Sequence, residues 1–114
     1  MARYSCSYSV NTSVEQIPSL LVQILQKCEF EVIHQSVNYI KAREISAQAL
    51  FSKLVTVDIF IDPVEEKNGR VPLTWVVKND ELTLHLDNHC RRQFERLQRA
   101  IANECQWHLA SFVG

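Results

Sequence analysis

Glycine and proline are nearly missing from this chain, at two and three residues in 114. That scarcity excludes collagen-like repeats, low-complexity linkers and loop-rich scaffolds, which need such residues in quantity. Two glycines, Gly69 and Gly114, cannot build a dinucleotide or phosphate cradle, where several residues without a Cβ must crowd the phosphates. No Gly-x-Ser-x-Gly nucleophile elbow occurs. A formal net charge of −1 supplies no overall pull toward nucleic acid or an anionic membrane. Nor is there a run of ~18 apolar residues of the kind a membrane-spanning helix needs. The cysteines, Cys6, Cys28, Cys90 and Cys105, are widely spaced, and Met1-Ala2-Arg3-Tyr4-Ser5 carries no apolar export signal. Reduced core cysteines in a cytoplasmic protein are therefore expected.

What remains is the composition of an ordinary globular chain, 46% hydrophobic and 22% charged, at a length suited to a single domain over 1–114. Tyr4, Cys6, Tyr8 and Val10 alternate with Arg3, Ser5, Ser7 and Ser9, the pattern of a half-buried strand. Thr12 and Glu15 fit a capping box, and Ile17, Leu20, Leu21, Ile24, Leu25 and Cys28 form one apolar helical face. Pro18 either opens the main helix or kinks it. Segments 30–34 and 37–43 read as strands around a turn at Gln35-Ser36, while 44–52 fits neither period. Segment 54–61 is the strongest strand: Val55, Val57, Ile59 and Ile61 face one way, and Leu54, Thr56, Asp58 and Phe60 the other.

Past Pro63 and the Asn68-Gly69 turn, 71–77 reads as a strand with Pro72 near its start. Asn79-Asp80 then leads into a strand carrying Leu82, Leu84 and Leu86. Asp87-Asn88 caps a long helix with Phe94, Leu97, Ile101 and Cys105 on its buried side. The apolar tail 107–114 is a final strand or a segment packed on the core. The order β-α-β-β-β-β-β-α predicts an α+β fold: an antiparallel sheet of five or six strands with two helices on one face. It resembles the helix-grip and TATA-binding-protein-like layouts, in which a curved sheet holds a long C-terminal helix. The resemblance is topological and carries over no functional residue. A ferredoxin-like arrangement ending in the tail strand is the alternative.

Zinc is the first chemistry to weigh, because His89-Cys90 and Cys105-x-x-His108 share one region. On one helix the two pairs stand about 22 Å apart at about 1.5 Å per residue, and zinc draws its ligands to within ~2.3 Å of a point. No metal and no cofactor is expected. His85 falls on a strand pointing away from the leucines, and His34, in line with Phe30 and Val32, reads as a core or edge histidine. Glu65-Glu66 lies on a turn beside Lys67 and Arg70. Asp58, mid-strand in an apolar stretch, needs a partner such as a lysine or arginine on a neighbouring strand. No residue is assigned a catalytic role.

Two surfaces carry more weight. Arg91, Arg92, Arg96 and Arg99 fall within about 140° of arc on the long helix, with Glu95 four residues before Arg99. Guanidinium groups in such a stripe suit an acidic protein surface or phosphate groups. Nucleic acid is the weaker partner, since the chain is not basic overall and has no RNA-recognition motif. Tyr4, Tyr8, Tyr39, Phe60, Trp75 and Trp107, with Asp58, form a candidate lining for a sheet–helix cavity. The reading is a non-catalytic protein-interaction or assembly module of regulatory type, with homodimerisation through an edge strand compatible with it. The alternatives are a carrier of a small apolar ligand and a small enzyme using Asp58 or a histidine.

Overall fold

Alternating polar and apolar residues set the strands, and three- and four-residue apolar spacings set the helices. The structure, a computed structural model, describes residues 2–13, 15–45, 54–62, 70–80, 88–103 and 109–113. Its elements are β1 (Ala2–Val10), α1 (Ile17–Lys27), β2 (Phe30–Gln35), β3 (Tyr39–Glu44), β4 (Thr56–Ile61), β5 (Val71–Asn79), α2 (His89–Ala102) and β6 (Leu109–Val113). The strands form one antiparallel sheet in the order β2-β3-β4-β5-β1-β6. α1 packs on β2, α2 packs on β1 and β5, and the helices touch each other. This is the expected α+β architecture, with both helices over one face.

The register explains the core. Ile40, Ile59, Trp75 and Cys6 are cross-strand neighbours along one row, flanked by the row Ala42, Val57, Val77 and Tyr4. Ile40, Ile59, Trp75 and Cys6 are all buried, as are Leu21, Leu25, Leu97 and Ile101 from the helices above. Each such side chain contributes about 1.5–3 kcal/mol by leaving water. A central position for β4, between β3 and β5, fits its wholly apolar inner row.

α1 begins later than its capping signal suggests. Gln16 is the N-cap and makes no side-chain cap bond, whereas the Thr12 hydroxyl donates to Gln16 Oε1 at 3.3 Å. The Thr12–Glu15 capping box is therefore not formed. Pro18 sits in the first turn, where its missing N–H leaves no helical bond unmade. After Cys28 the chain turns through Glu29 at φ 65°, a left-handed conformation usually given to glycine. In a chain so poor in glycine, Glu29 takes that position at a cost of about 1 kcal/mol.

α2 is capped as expected: Asn88 Oδ1 accepts the Arg91 N–H at 2.9 Å. Leu97 and Ile101 are buried, while Phe94 is only half-buried, stacked on Tyr4 at 5.6 Å between ring centroids. The β2–β3 turn spans residues 36–38, closed by the Ser36 N–H donating to the Tyr39 carbonyl at 2.8 Å, so Val37 is exposed and precedes β3. β5 continues two residues past 77, to Asn79. Of the two readings of the tail, the final strand is the one realised, with β6 paired to β1. The strand read over 82–86, the 46–53 segment, the loop 63–69, Cys105 and Trp107 lie outside the described residues.

Candidate binding surfaces

The sheet has a second face, turned away from both helices. Along it run the rows Arg43–Thr56–Lys78–Arg3, then Lys41–Asp58–Val76–Ser5, then Tyr39–Phe60–Thr74–Ser7. Asp58 lies at its centre and is itself buried, so its charge must be neutralised locally. The Tyr39 hydroxyl donates to Asp58 Oδ1 at 2.5 Å, and Lys78 Nζ stands 3.1 Å from Oδ2. A lysine of the neighbouring strand is the kind of partner this carboxylate required.

The electrostatics of this pair oppose a catalytic role. Burial pushes the Asp58 carboxyl upward, but the Tyr39 and Lys78 hydrogen bonds and the Lys78 and Lys41 charges outweigh it and hold the group below the usual aspartate range. The bond to Asp58 in turn pushes Tyr39 up to about 12, so its hydroxyl remains a donor. General acid–base catalysis wants a group poised near the working pH, and both are driven away from it. Burial likewise pushes the Cys28 thiol up, away from the thiolate that a nucleophile needs.

Of the seven residues grouped as a cavity lining, the six that the structure describes do not share one. Tyr4, Tyr8 and Trp75 face the helices, whereas Tyr39, Asp58 and Phe60 face the other way. The first group fills its space: Tyr8 meets Trp75 edge-on at 4.9 Å, and Tyr4 stacks on Phe94. The Trp75 Nε1–H finds no acceptor among the described residues. On the open face, Tyr39 sits between His34 and Phe60 at centroid distances of 5.6 and 5.2 Å, and Phe60 is 47% exposed. His34 reaches this face because a bulge between Val32 and His34 breaks the period of β2. It is an exposed edge histidine, and the core position is overturned.

The arginine stripe divides into two pairs. Arg91 Nε donates to Glu95 at 3.1 Å, with its guanidinium 5.8 Å from the Tyr4 ring centre. Glu95 thus pairs with Arg91, in place of the Glu95–Arg99 pair its spacing suggested. Arg96 reaches Glu29 at the end of α1, 3.3 Å away. Arg92 and Arg99 are exposed, seven residues and two helical turns apart.

One polar cluster escaped sequence reasoning. Glu44, at the end of β3, accepts from His89 Nε2 at 2.8 and 2.9 Å, from Gln93 Nε2 at 3.2 Å and from the Val55 N–H at 3.2 Å. A carboxylate can only accept, so the proton sits on His89 Nε2. The cluster ties the first turn of α2 to the sheet. Its only sequence signal was that Glu44 opens the 44–52 stretch, which fits neither period. His89 is engaged there and Cys90 is buried against the Ala2 and Val77 carbonyls, while Cys105 and His108 lie outside the described residues. Among the described residues no three His, Cys, Asp or Glu side chains cluster as metal ligands do. A solvent-open groove of about 390 Å³ between α1 and the β2–β3 turn is lined by Glu15, Pro18, Ser19, Gln35, Ser36 and Val37, and Glu15 is its one charged group.

No protein-family model matches the chain, and no curated protein matches it in sequence. Among solved structures it is similar to TTHA0849 from Thermus thermophilus, with 11% identity over 88% of this chain and 94% of that one and a TM-score of 0.43. It is also similar to a conserved protein from Geobacillus kaustophilus, with 16% identity over 94% of this chain and 99% of that one and a TM-score of 0.39. Among the described residues no helix is long and apolar enough to cross a membrane.

Proposed function

We propose that this chain is a non-catalytic, cytoplasmic protein-interaction module that docks an acidic surface of a partner protein on α2. The observation that supports this is the placement of the arginines. Arg91 and Arg96 pair with Glu95 and Glu29, and Arg92 and Arg99 are exposed on the outer side of the same helix, so the stripe turns guanidinium groups to solvent. The enzyme reading loses support from Asp58 and Tyr39, whose acidities move away from neutrality in opposite directions.

Affinity capture with the wild-type chain against the Arg92→Glu/Arg99→Glu variant tests the dock. Loss of the same partner band in the variant, and its loss from wild type above about 0.5 M salt, is the expected result, because exposed charge contacts are screened within a few Å there. Capture that is indifferent to both sinks the role of the stripe. Homodimerisation through β2 draws less support, because the bulge beside Ile33 twists that edge away from regular pairing. The ligand-carrier reading rests on the acceptorless Trp75 indole, and native mass spectrometry retaining a co-purified apolar molecule would favour it.

A further inference from the structure

A second surface lies on the open face of the sheet, separate from α2. Tyr39, Lys41 and Arg43 occupy alternate positions of β3 and so point the same way, about 6.6 Å apart along the strand. Phe60 stands beside Tyr39 on β4 and is 47% exposed. Arg3 and Lys78 continue the Arg43 row across the sheet. The acids of this region offset the cations only in part, Asp58 pairing with Lys78 and also feeling the Lys41 charge through space. Asp58 is taken up by Lys78 and Tyr39, and Glu31, opposite Arg43 in register, makes no ion pair with it. Lys41, Arg43 and Arg3 likewise form no ion pair with another described residue.

We propose that this strip binds an extended acidic peptide segment, with one apolar or aromatic residue seated on Phe60 and Tyr39 and acidic residues two and four positions along, over Lys41 and Arg43. Side chains of an extended peptide that share a face repeat at the same interval as those of β3, so the two sets come into step. The exposed ring supplies a desolvated anchor and the cations a polar rim. Single-stranded nucleic acid fits less well. It needs rings spaced along a basic groove, whereas His34, Tyr39 and Phe60 lie against one another at 5.6 and 5.2 Å and form a single cluster. This inference rests on the interaction-module reading and not on the α2 arginines.

Fluorescence anisotropy of the full chain tests it with labelled Ser-Phe-Ser-Glu-Ser-Glu-Ser and its reverse, their Phe→Ser and Glu→Lys counterparts, and an oligo-dT strand. One acidic peptide should bind saturably, and both the Phe→Ser and Glu→Lys peptides should bind at least ~10-fold more weakly. Phe60→Ser and Lys41→Glu/Arg43→Glu should each cost a similar factor with an unchanged circular dichroism spectrum, while Arg92→Glu/Arg99→Glu leaves peptide binding intact. Absence of saturable binding, or binding that survives both sheet variants, overturns the proposal. So does tighter oligo-dT binding lost in those variants, which assigns the face to nucleic acid. A concentration-dependent dimer lost in the same variants also overturns it and assigns the face to a second copy. Failure of the α2 variant alone to affect partner capture leaves this site standing.

Discussion

On the helix side of the sheet, Ile40, Ile59, Trp75 and Cys6 meet in one sealed row; one residue along the same four strands, the other face carries Lys41, Asp58, Val76 and Ser5. The strands and hydrogen bonds are shared, and only the parity differs. A slip of one residue would exchange the two rows, placing a lysine and an aspartate under the helices. The register is therefore held by the cost of that exchange. Between the helices and the sheet, contacts are apolar and dense, with Glu44, His89 and Gln93 as the polar tie. On the open face, one carboxylate is neutralised by its neighbours, and Phe60, Arg43 and Arg3 are exposed.

Three substitutions break or sharpen this contrast. Trp75→Ala removes the largest fully buried side chain and should cost about 3–5 kcal/mol in urea unfolding. A loss below about 1 kcal/mol would mean that the helix side is not packed as described. Asp58→Asn should cost less, about 1–3 kcal/mol, because Lys78 is partly exposed and can turn to water. Its pH signature is the sharper readout. An aspartate held below its unfolded value of ~3.9 contributes stability that is full above that pH and lost as pH falls through the folded value. Wild type should therefore lose stability more steeply than Asp58→Asn below about pH 4; parallel profiles would show that Asp58 is not coupled to Tyr39 and Lys78. Phe60→Ser should change stability by no more than about 0.5 kcal/mol, since the ring is half in water already. A loss above about 1 kcal/mol would show that the open face is covered.

Much of the fold was legible. The period-2 runs of β1 and β4, the apolar stripe of α1 and the Asn88 cap each express a local rule that the tertiary structure had no reason to override. The faces of Asp58 and Phe60 were legible too, because alternation along β4 already set them opposite Val57 and Ile59. Grouping them with Trp75 in one cavity required ignoring that parity. The face of His34 was hidden, because a bulge inserts one unpaired residue without leaving a periodic trace. The Glu44–His89 contact was hidden for another reason. It joins residues 45 apart in sequence through a helix whose position on the sheet no local pattern encodes.

By itself, the sequence determined the elements and their buried sides, since helical and strand periods follow from backbone geometry and from the cost of leaving apolar groups in water. It also determined that Asp58 must have a partner, because a mid-strand charge in an apolar stretch demands one. Which partner, Lys78 with Tyr39, was decided by the cross-strand register. Only the tertiary structure paired Arg91 with Glu95 and Arg96 with Glu29, and set Phe60 beside Tyr39 on the face that carries Lys41 and Arg43. Those choices depend on which chain segments the folded sheet brings within a few Å of one another, and no periodicity carries that information.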